Sequence, residues 1–263
     1  MKIIVCMKQV PAGTQVDIDP ETGSMKRLSG DTRTNPYDLF ALETALQLRE
    51  QLGGTVTVLT MGPPQAESMM RDAYTMGADE AVILSDRKFA GADVLATSYT
   101  LSQGVQALGG ADLIICGRQT TDGDTAQVGP AMAEHMHMPH AAWVAEITAV
   151  DGESITVRQD LGSVSQVSRM GYPCLITVDK DCCVPRLPSY LLKKATAERK
   201  VKVVGFEDLP DQDMSRYGQM GSPTAVERMF APPAKEKQVY IEGADAEEKA
   251  DSIFSVLTDK KII

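Results

Sequence analysis

The sequence is poor in aromatic residues and histidine, and it has no long hydrophobic run. Aromatic residues make up 5% of its 263 residues, with a single tryptophan, while hydrophobic residues reach 43%. This composition predicts a folded protein with an aliphatic interior. No segment approaches ~20 consecutive apolar residues, and the N-terminal apolar run ends at Lys8, so we expect neither a membrane span nor a signal peptide. The expected location is the cytoplasm.

Positive charge is also scarce, with 26 basic against 36 acidic residues and a formal net charge of −10. Such a surface repels nucleic acid and anionic lipid, so protein and small-molecule partners are favoured. Five cysteines without a CxxC spacing predict reduced thiols. A helix would place His135 and His137 on different sides, and no cysteine or carboxylate completes a ligand set with them and His140, so no metal site is predicted. The sequence also lacks a nucleophile elbow and paired catalytic carboxylates, so no catalytic residue is predicted.

Short apolar runs alternate with helix-like segments along the first half of the chain. The predicted strands are Ile3–Met7, Thr55–Thr60, Ala81–Leu84 and Ala111–Cys116, and the predicted helices are 36–50, 66–76 and 93–108. This alternation predicts an α/β fold with a doubly wound, mostly parallel sheet. Extra strands are expected after Pro139, with a hairpin turn at Asp151–Gly152. A surface hairpin is expected from Val16–Asp19 and Met25–Leu28, with its turn at Pro20–Gly23.

The composition changes near Leu209, which suggests a division of the chain. Residues 1–208 are expected to form the nucleotide-binding α/β domain. Residues 209–263 are rich in Pro, Gly, Gln and charge, apart from a short helix expected over Ala244–Leu257. A segment without a core of its own is suited to an extended C-terminal arm that wraps around a partner.

The segment Cys116–Pro130, CGRQTTDGDTAQVGP, carries the clearest chemical signal. A helix is expected to open at Gly123–Thr125, and the free N–H groups of a helix start attract phosphate. Gly123 would let the backbone come close to a ligand, and the side chains of Thr120, Thr121, Thr125 and Gln127 could add hydrogen bonds. Asp122 and Asp124 would repel phosphate, so they are expected to cap the helix or to reach ribose hydroxyls. Because the segment is neither GxGxxG nor a Walker loop, an ordinary polar loop is the alternative.

Several motifs together resemble the beta subunit family of electron transfer flavoproteins. They occur in the family's order over nearly the whole chain: Val5–Pro11, Asn35–Asp38 followed by Ala41–Glu43, Met61–Pro63, Met76–Asp79, Cys116–Pro130 and Leu187–Ser189. The resemblance implies a subunit that pairs with a flavin-carrying alpha subunit and passes electrons between a dehydrogenase and another carrier. Any enzymatic activity would then belong to the complex rather than to this chain alone.

The ending GDTAQVGP resembles the electron-bifurcating members of that family. In those members the beta subunit holds a second FAD, which takes electrons from NADH and divides them between ferredoxin or flavodoxin and the alpha-subunit FAD. The alternative is a beta subunit that holds a structural AMP and has no redox role. A more remote alternative is a free nucleotide-binding regulator of similar architecture. Gly221–Thr224 also resembles the bifurcating members, although Ala225 stands where a basic residue is expected, and a turn in a linker is its alternative.

Matching the family's motifs position by position gives an expected set of cofactor contacts. These are Cys6, Asn35, Pro36, Tyr37, Asp38, Met61, Gly117, Arg118, Gln119, Thr120, Thr121, Asp122, Gly123, Asp124, Thr125, Ala126, Gln127 and Val128. Arg118 is the candidate for a basic group near the cofactor. Asn35 is also expected to cap the helix that Pro36 begins.

Leu187, which precedes Pro188, matches the family's recognition loop. The resemblance implies that this leucine is exposed and anchors in a partner dehydrogenase, of the acyl-CoA type or the 2-hydroxy-acid type. The alternative is a buried loop leucine. The basic residues that follow, Lys193, Lys194, Arg199 and Lys200, could steer a partner or could form a solvated face.

Overall fold

The structure is a computed structural model that describes residues 1–12, 17–18, 25–26, 32–180, 182–225 and 240–263. The strands are β1 (Lys2–Cys6), β2 (Gln9–Pro11), β3 (Asp17–Ile18), β4 (Met25–Lys26), β5 (Thr32–Thr34), β6 (Thr55–Met61), β7 (Glu80–Leu84), β8 (Leu113–Gly117), β9 (His140–Val150), β10 (Ser154–Asp160), β11 (Ser165–Gly171), β12 (Cys174–Val178) and β13 (Lys202–Val204). The α-helices are α1 (Pro36–Leu52), α2 (Glu67–Met76), α3 (Val94–Ala107), α4 (Val128–His135), α5 (Tyr190–Ala195) and α6 (Ala246–Asp259).

Among the described residues, nine strands form one sheet in the order β11-β10-β9-β12-β8-β1-β6-β7-β13. Every neighbouring pair from β9 to β13 in that order is parallel, and β10 and β11 add an antiparallel hairpin at one edge. The predicted α/β class with a mostly parallel sheet and extra strands is therefore confirmed.

Both faces of the sheet are buried under helices, as the continuous apolar runs require. In β1, Ile3 and Val5 face a cluster that includes Leu42 and Leu46 of α1 and residues of α2. The alternate residue Ile4 faces the opposite cluster, to which α3 and α4 contribute. Because both faces of β1 are covered by apolar side chains, this strand lies at the centre of the fold.

Most predicted elements match the structure closely. The helix predicted from Asn35–Pro36 begins at Pro36, and the hairpin predicted at Asp151–Gly152 joins β9 to β10. Within the described residues, β3 pairs with β4 as the surface hairpin requires. Val16, Asp19, the turn Pro20–Gly23 and the end of the second hairpin strand lie outside the described residues.

The chain divides into two compact units, Met1–Glu227 and Arg228–Ile263. The arm was expected to begin at residue 209, but Leu209 and Tyr217 are buried in the core cluster that also contains α3 and α4. In the second unit, Asp245 begins α6 by accepting hydrogen bonds from the backbone N–H groups of Glu247 and Glu248. Wrapping of the arm around another subunit stays a prediction.

Candidate functional site

The carboxyl ends of β1 and β8 define a crevice at the point where the strand order reverses. From β1 the chain proceeds to β6 and β7 on one side, and then returns to place β8 on the other side of β1. Cys6 at the end of β1 lies in register with Cys116 near the end of β8. In open α/β sheets, ligands bind in the crevice beside such a reversal. The segments that follow Cys6 and Gly117 therefore form the candidate site.

Residues 118–127, which we call the 118–127 loop, connect β8 to α4 in an irregular conformation. The backbone N–H of Asp124 donates to the carbonyl of Thr120 at 3.0 Å. Asp124 and Ala126 have φ values of 52° and 56°, a left-handed conformation that is uncommon outside glycine. Such backbone states are concentrated at functional sites.

The prediction that a helix opens at Gly123–Thr125 is wrong, because α4 begins only at Val128. The left-handed residues Asp124 and Ala126 interrupt any helix before that point. Among the described residues, the backbone N–H groups of Thr125, Ala126 and Gln127 have no hydrogen-bond acceptor. An array of unpaired N–H groups next to a helix start binds anions well. Phosphate binding stays a prediction, and the end of the loop rather than a helix start is the candidate for it.

The side chain of Asn35 holds the 118–127 loop through two hydrogen bonds. It is fully buried, and its side-chain nitrogen donates to the carbonyl of Gln119 and to Asp38 Oδ1, each at 2.9 Å. Its side-chain oxygen accepts from the backbone N–H of Thr121 at 3.2 Å. The prediction that Asn35 caps α1 with its side chain is wrong, since no such bond forms and the amide is used by the loop instead.

Asp38 joins the same network from the first turn of α1. Its Oδ2 accepts from the backbone N–H of Lys8 at 2.7 Å. Burial raises the pKa of this carboxyl to about 7, although hydrogen bonds from Asn35 and Lys8 and the charge of Lys8 oppose the shift. Because its oxygens are engaged and it is nearly inaccessible, Asp38 is placed to hold the ends of β1 and β8 together rather than to reach into the crevice.

Gly117 ends β8 where α1 comes closest to the sheet. A Cβ atom there would lie 2.4 Å from Asp38 Oδ1 and 2.7 Å from the carbonyl carbon of Tyr37. The backbone of Gly117 is that of a strand, and its φ is not positive. This position needs glycine because a side chain would collide with α1.

Two acidic residues of the loop form bonds with neighbouring side chains. Lys8 Nζ forms an ion pair with Asp122 Oδ2 at 2.6 Å. Burial raises the pKa of Asp122, but the hydrogen bond and charge of Lys8 outweigh it and the pKa lies below its ordinary value. The amide of Gln119 donates to Asp124 Oδ1. The helix-capping role predicted for Asp122 and Asp124 is wrong, since Gln127 precedes α4 and makes no side-chain cap.

Arg118 lies on the side of the site that faces β9 and β12. Its Nη1 pairs with Asp179 Oδ2 at 2.6 Å, and its guanidinium lies 4.3 Å from the centroid of the Trp143 ring. Its Nε is buried without a hydrogen-bond partner among the described residues. A contact between Arg118 and a cofactor stays a prediction.

A cavity of about 720 Å³ adjoins the end of the 118–127 loop. Its walls come from the loop and α4, from the start of α3, and from the segment near Gly221–Thr224, and its lining residues are Asp93, Val94, Leu95, Thr125, Gln127, Ala131, Pro223 and Thr224. Most of these side chains are apolar or uncharged. The cavity can therefore accept a flat, largely apolar group attached to whatever the loop binds.

Asp93 connects two walls of this cavity through hydrogen bonds. One carboxylate oxygen caps α3 by accepting from the backbone N–H of Ala96 at 3.1 Å. The other accepts from the hydroxyl of Thr224 at 2.8 Å. The backbone N–H of Asp93 also donates to Ser222 Oγ at 2.8 Å. An aspartate before a helix was visible in the sequence, but its links to residues 129 and 131 positions later were not.

The remaining predicted contacts lie around the same crevice. Cys6 is buried, with its Sγ 4.0 Å from Met132 Sδ, and Met61 packs against the same core cluster. Pro36 and Tyr37 are half-buried in the first turn of α1. The structure thus brings the predicted cofactor residues to one edge of the sheet, while their contacts with a cofactor stay a prediction.

The segment that carries Leu187 lies apart from the crevice, beside α1 and α2. The Leu187 side chain is 86% exposed, so the alternative of a buried loop leucine is wrong. Tyr190 and Leu191, at the start of α5, are also exposed. We call residues 184–191 the docking loop, and its binding to a partner stays a prediction.

Two further features are absent from the described part of the chain. No group of three or more His, Cys, Asp or Glu side chains is close enough to hold a metal ion there. In the same residues, no helix has both the length and the hydropathy needed to cross a membrane.

Comparison with known proteins gives a consistent assignment. A family model described as the electron transfer flavoprotein domain matches residues 22–210. The chain is 44% identical to Protein FixA of Bradyrhizobium diazoefficiens, over 97% of this chain and 91% of that protein. It is 42% identical to the caffeyl-CoA reductase-Etf complex subunit CarD of Acetobacterium woodii over the full length of both chains. It is 40% identical to the electron transfer flavoprotein subunit beta of Clostridium acetobutylicum, over 92% of this chain and 96% of that protein.

Proposed function

The chain belongs to the electron transfer flavoprotein family, as a beta-type subunit, and we propose that it holds FAD at the 118–127 loop within an electron-bifurcating complex. The adenosine diphosphate half of FAD would lie along the loop, and the flavin half would extend into the adjoining cavity. The observation that carries this proposal is that Thr125 and Gln127, whose backbone N–H groups have no acceptor among the described residues, line that cavity.

The loop has the features that a diphosphate requires. Its unpaired N–H groups can donate to phosphate oxygens. A Cβ atom built on Gly123 would contact only Thr120 Oγ1, at 3.4 Å, so the space beside this glycine is open to a ligand. Lys8 and Gln119 engage the carboxylates of Asp122 and Asp124, which reduces the repulsion that those groups would exert on phosphate.

The cavity favours FAD over AMP. AMP ends at a single phosphate and would leave a cavity of about 720 Å³ without a role. The apolar walls formed by Val94, Leu95 and Pro223 suit one face of an aromatic ring system. A beta subunit with a structural AMP remains the alternative function.

FAD bound here would supply the chemistry of the complex, accepting two electrons from NADH and releasing them singly to ferredoxin or flavodoxin and to the FAD of the alpha subunit. The residues of this chain would bind and orient it. Backbone N–H groups of the 118–127 loop would hold the phosphates, and Asn35 would fix the loop that presents them. Asp93 and Thr224 would hold the two walls of the cavity around the flavin half.

The partners of the complex follow from the docking loop, the arm and one relative. We propose that the arm contacts the alpha subunit, because α6 carries exposed apolar side chains at Ile253, Phe254 and Val256. Leu187 would anchor in a dehydrogenase. The name of CarD places that relative in a caffeyl-CoA reductase-Etf complex, which favours an acyl-CoA-type dehydrogenase over a 2-hydroxy-acid dehydrogenase.

Counting nucleotides in the purified heterodimer tests the proposal. We expect two FAD and no AMP when this chain is purified with its alpha partner and the released nucleotides are quantified by chromatography. One FAD with one AMP would contradict the proposal and support the structural alternative. Gly123→Val should lower the FAD count to one, because the new side chain fills the open space beside the loop. The control is Gly152→Val, at an exposed turn where a Cβ meets nothing within 4 Å.

A further inference from the structure

The docking loop is attached to the protein body on both sides of Leu187. Before it, Arg186 is bound to side chains of α1. After it, the backbone N–H of Ser189 donates to the carbonyl of Thr75 at 2.8 Å, and Ser189 Oγ caps α5 by accepting from the N–H of Leu192. An exposed apolar side chain is thus held between two fixed points that lie only three residues apart.

Arg186 makes four hydrogen bonds to two glutamates of α1. Its Nε and Nη2 donate to the two carboxylate oxygens of Glu43, at 2.7 and 3.0 Å. Its Nη1 donates to Glu50 Oε1 at 2.7 Å. The backbone N–H of Arg186 also donates to Glu43 Oε2 at 3.0 Å. Both the side chain and the main chain at the start of the loop are therefore fixed to α1.

The Glu43 carboxylate is built into the protein body rather than free in solvent. Its side chain is 5% exposed, and Gln47 donates to its Oε1 at 3.0 Å. Burial raises the pKa of Glu43, but the hydrogen bonds and charge of Arg186 outweigh it, so the pKa lies below its ordinary value. A buried carboxylate with a bidentate arginine partner holds that arginine in one geometry.

Only arginine can make this arrangement. Its planar guanidinium presents several donors in a fixed fork, and here that fork spans Glu43 and Glu50, which lie two turns apart on α1. A lysine ammonium keeps the charge but cannot reach both carboxylates in the same rigid geometry. An Arg186→Lys variant would keep the two hydrogen bonds at Ser189.

We propose that Arg186 is a positioning residue for partner docking, in which its bonds to Glu43 and Glu50 present Leu187 in one orientation. The partner surface that Leu187 enters is an apolar pocket of a flavin-dependent dehydrogenase. A side chain that is ordered before binding loses less conformational entropy when it enters a pocket. This inference rests on the proposed docking function of Leu187. It adds the residues that hold Leu187 in the orientation needed for docking.

The test is the kinetics of electron transfer from the heterodimer with its alpha subunit. The probes are a purified acyl-CoA dehydrogenase and a purified 2-hydroxy-acid dehydrogenase, each at varied concentration. Arg186→Lys and Glu43→Gln should each raise the KM for the dehydrogenase about tenfold and leave kcat within about twofold, because docking weakens while the flavins are untouched. FAD content should stay at the wild-type value. Leu187→Ala should raise the same KM without loss of FAD.

Amide hydrogen exchange in the same heterodimers separates positioning from a general loss of stability. In Arg186→Lys, peptides covering residues 182–189 should exchange faster, while peptides of the sheet keep their protection. The matched control is Arg158→Lys, which removes the fork of a surface ion pair with Glu146 on the distant hairpin of β9 and β10. This control should leave both KM and exchange unchanged.

The possible outcomes separate this inference from the proposed function. If the wild-type heterodimer reduces neither dehydrogenase, or if Leu187→Ala leaves KM unchanged, the docking function fails and the inference fails with it. If Leu187→Ala raises KM while Arg186→Lys and Glu43→Gln do not, docking stands and the positioning role is overturned. Loss of FAD in either variant would also overturn it, since Arg186 would then support the whole fold.

Discussion

The side-chain amide of Asn35 donates to the backbone carbonyl of Gln119, which lies 84 positions later in the sequence. Through this bond and the one from Thr121 N–H, the residue that precedes α1 fixes the conformation of the 118–127 loop. Asn35 is also the only asparagine in the chain. The candidate site is therefore organised from two distant parts of the sequence by one buried amide.

Replacing Asn35 with alanine should weaken nucleotide binding and destabilise the protein. The change removes the hydrogen bonds to the carbonyl of Gln119 and from the N–H of Thr121, which are both partly buried, at a cost of about 1 kcal/mol for each bond. We expect FAD to be lost from the heterodimer during dialysis, as measured by its absorbance. The control is Gln51→Ala on the exposed end of the same helix. Full retention of FAD by Asn35→Ala would contradict the supporting role.

Gly117→Ala should destabilise the protein through a collision with α1. The added methyl group would lie 2.4 Å from Asp38 Oδ1, and forcing a side chain into a packed interior costs about 1–3 kcal/mol. Thermal unfolding of the heterodimer should occur at a lower temperature than in the wild type. Gly152→Ala, where the methyl group meets nothing, should change it little. Equal melting temperatures for the two variants would rule out the close approach.

Asp38 should make stability depend on pH between about 4 and 7. Its pKa rises from 3.8 to about 7 on folding, mainly because it is buried. The folded state then holds its proton more tightly than the unfolded state, so this group's contribution to stability is fully present below about pH 4 and is lost as pH rises to about 7. Relative to Asp38→Asn, which cannot titrate, the wild type should lose up to about 1.4 kcal/mol per pH unit across that range.

Urea unfolding of both proteins at pH 5, 6, 7 and 8 measures this difference. The gap in unfolding free energy between wild type and Asp38→Asn should change from pH 5 to 7 and be constant above. A gap that is the same at every pH would show that Asp38 does not titrate in this range.

Thr224→Val should loosen the cavity without affecting the 118–127 loop. The substitution removes the hydroxyl that donates to Asp93 and keeps the size of the side chain, while Asp93 still caps α3. We expect FAD to dissociate about fivefold faster because one wall of the cavity is less firmly held. Thr148→Val removes an exposed hydroxyl bond on β9 and should leave the FAD dissociation rate unaltered. If both variants behave alike, the wall formed near Thr224 does not contact the flavin half.

The sequence predicted the fold well where local signals and hydrophobic patterns agreed. Pro36 marked the start of α1, and continuous apolar runs such as Ile3 to Val5 marked strands buried on both faces. The predicted start of α4 was wrong, because the residue types at positions 124 and 126 do not indicate the left-handed backbone of Asp124 and Ala126. Asp124 is held by bonds to Thr120 and Gln119 within the loop, which helix propensity does not encode.

The hydrogen bonds and ion pairs that support the site could not be predicted, because they join residues far apart in the chain. Lys8 with Asp122, and Arg186 with Glu43, are separated by 114 and 143 positions. A single sequence shows that these residues are charged but not that they meet. The resemblance to a family supplied the candidate nucleotide contacts, which stay a prediction, whereas the structure shows which of them, such as Asn35 and Asp38, hold the others in place.

Helix α1 carries both sets of contacts, with Asn35 and Asp38 at its beginning and Glu43 and Glu50 further along. A helix of 17 residues is about 25 Å long. Under the proposed function, this single element would set the separation between the FAD of this subunit and a dehydrogenase docked at Leu187. The two sites would then keep a fixed spacing for as long as α1 stays folded.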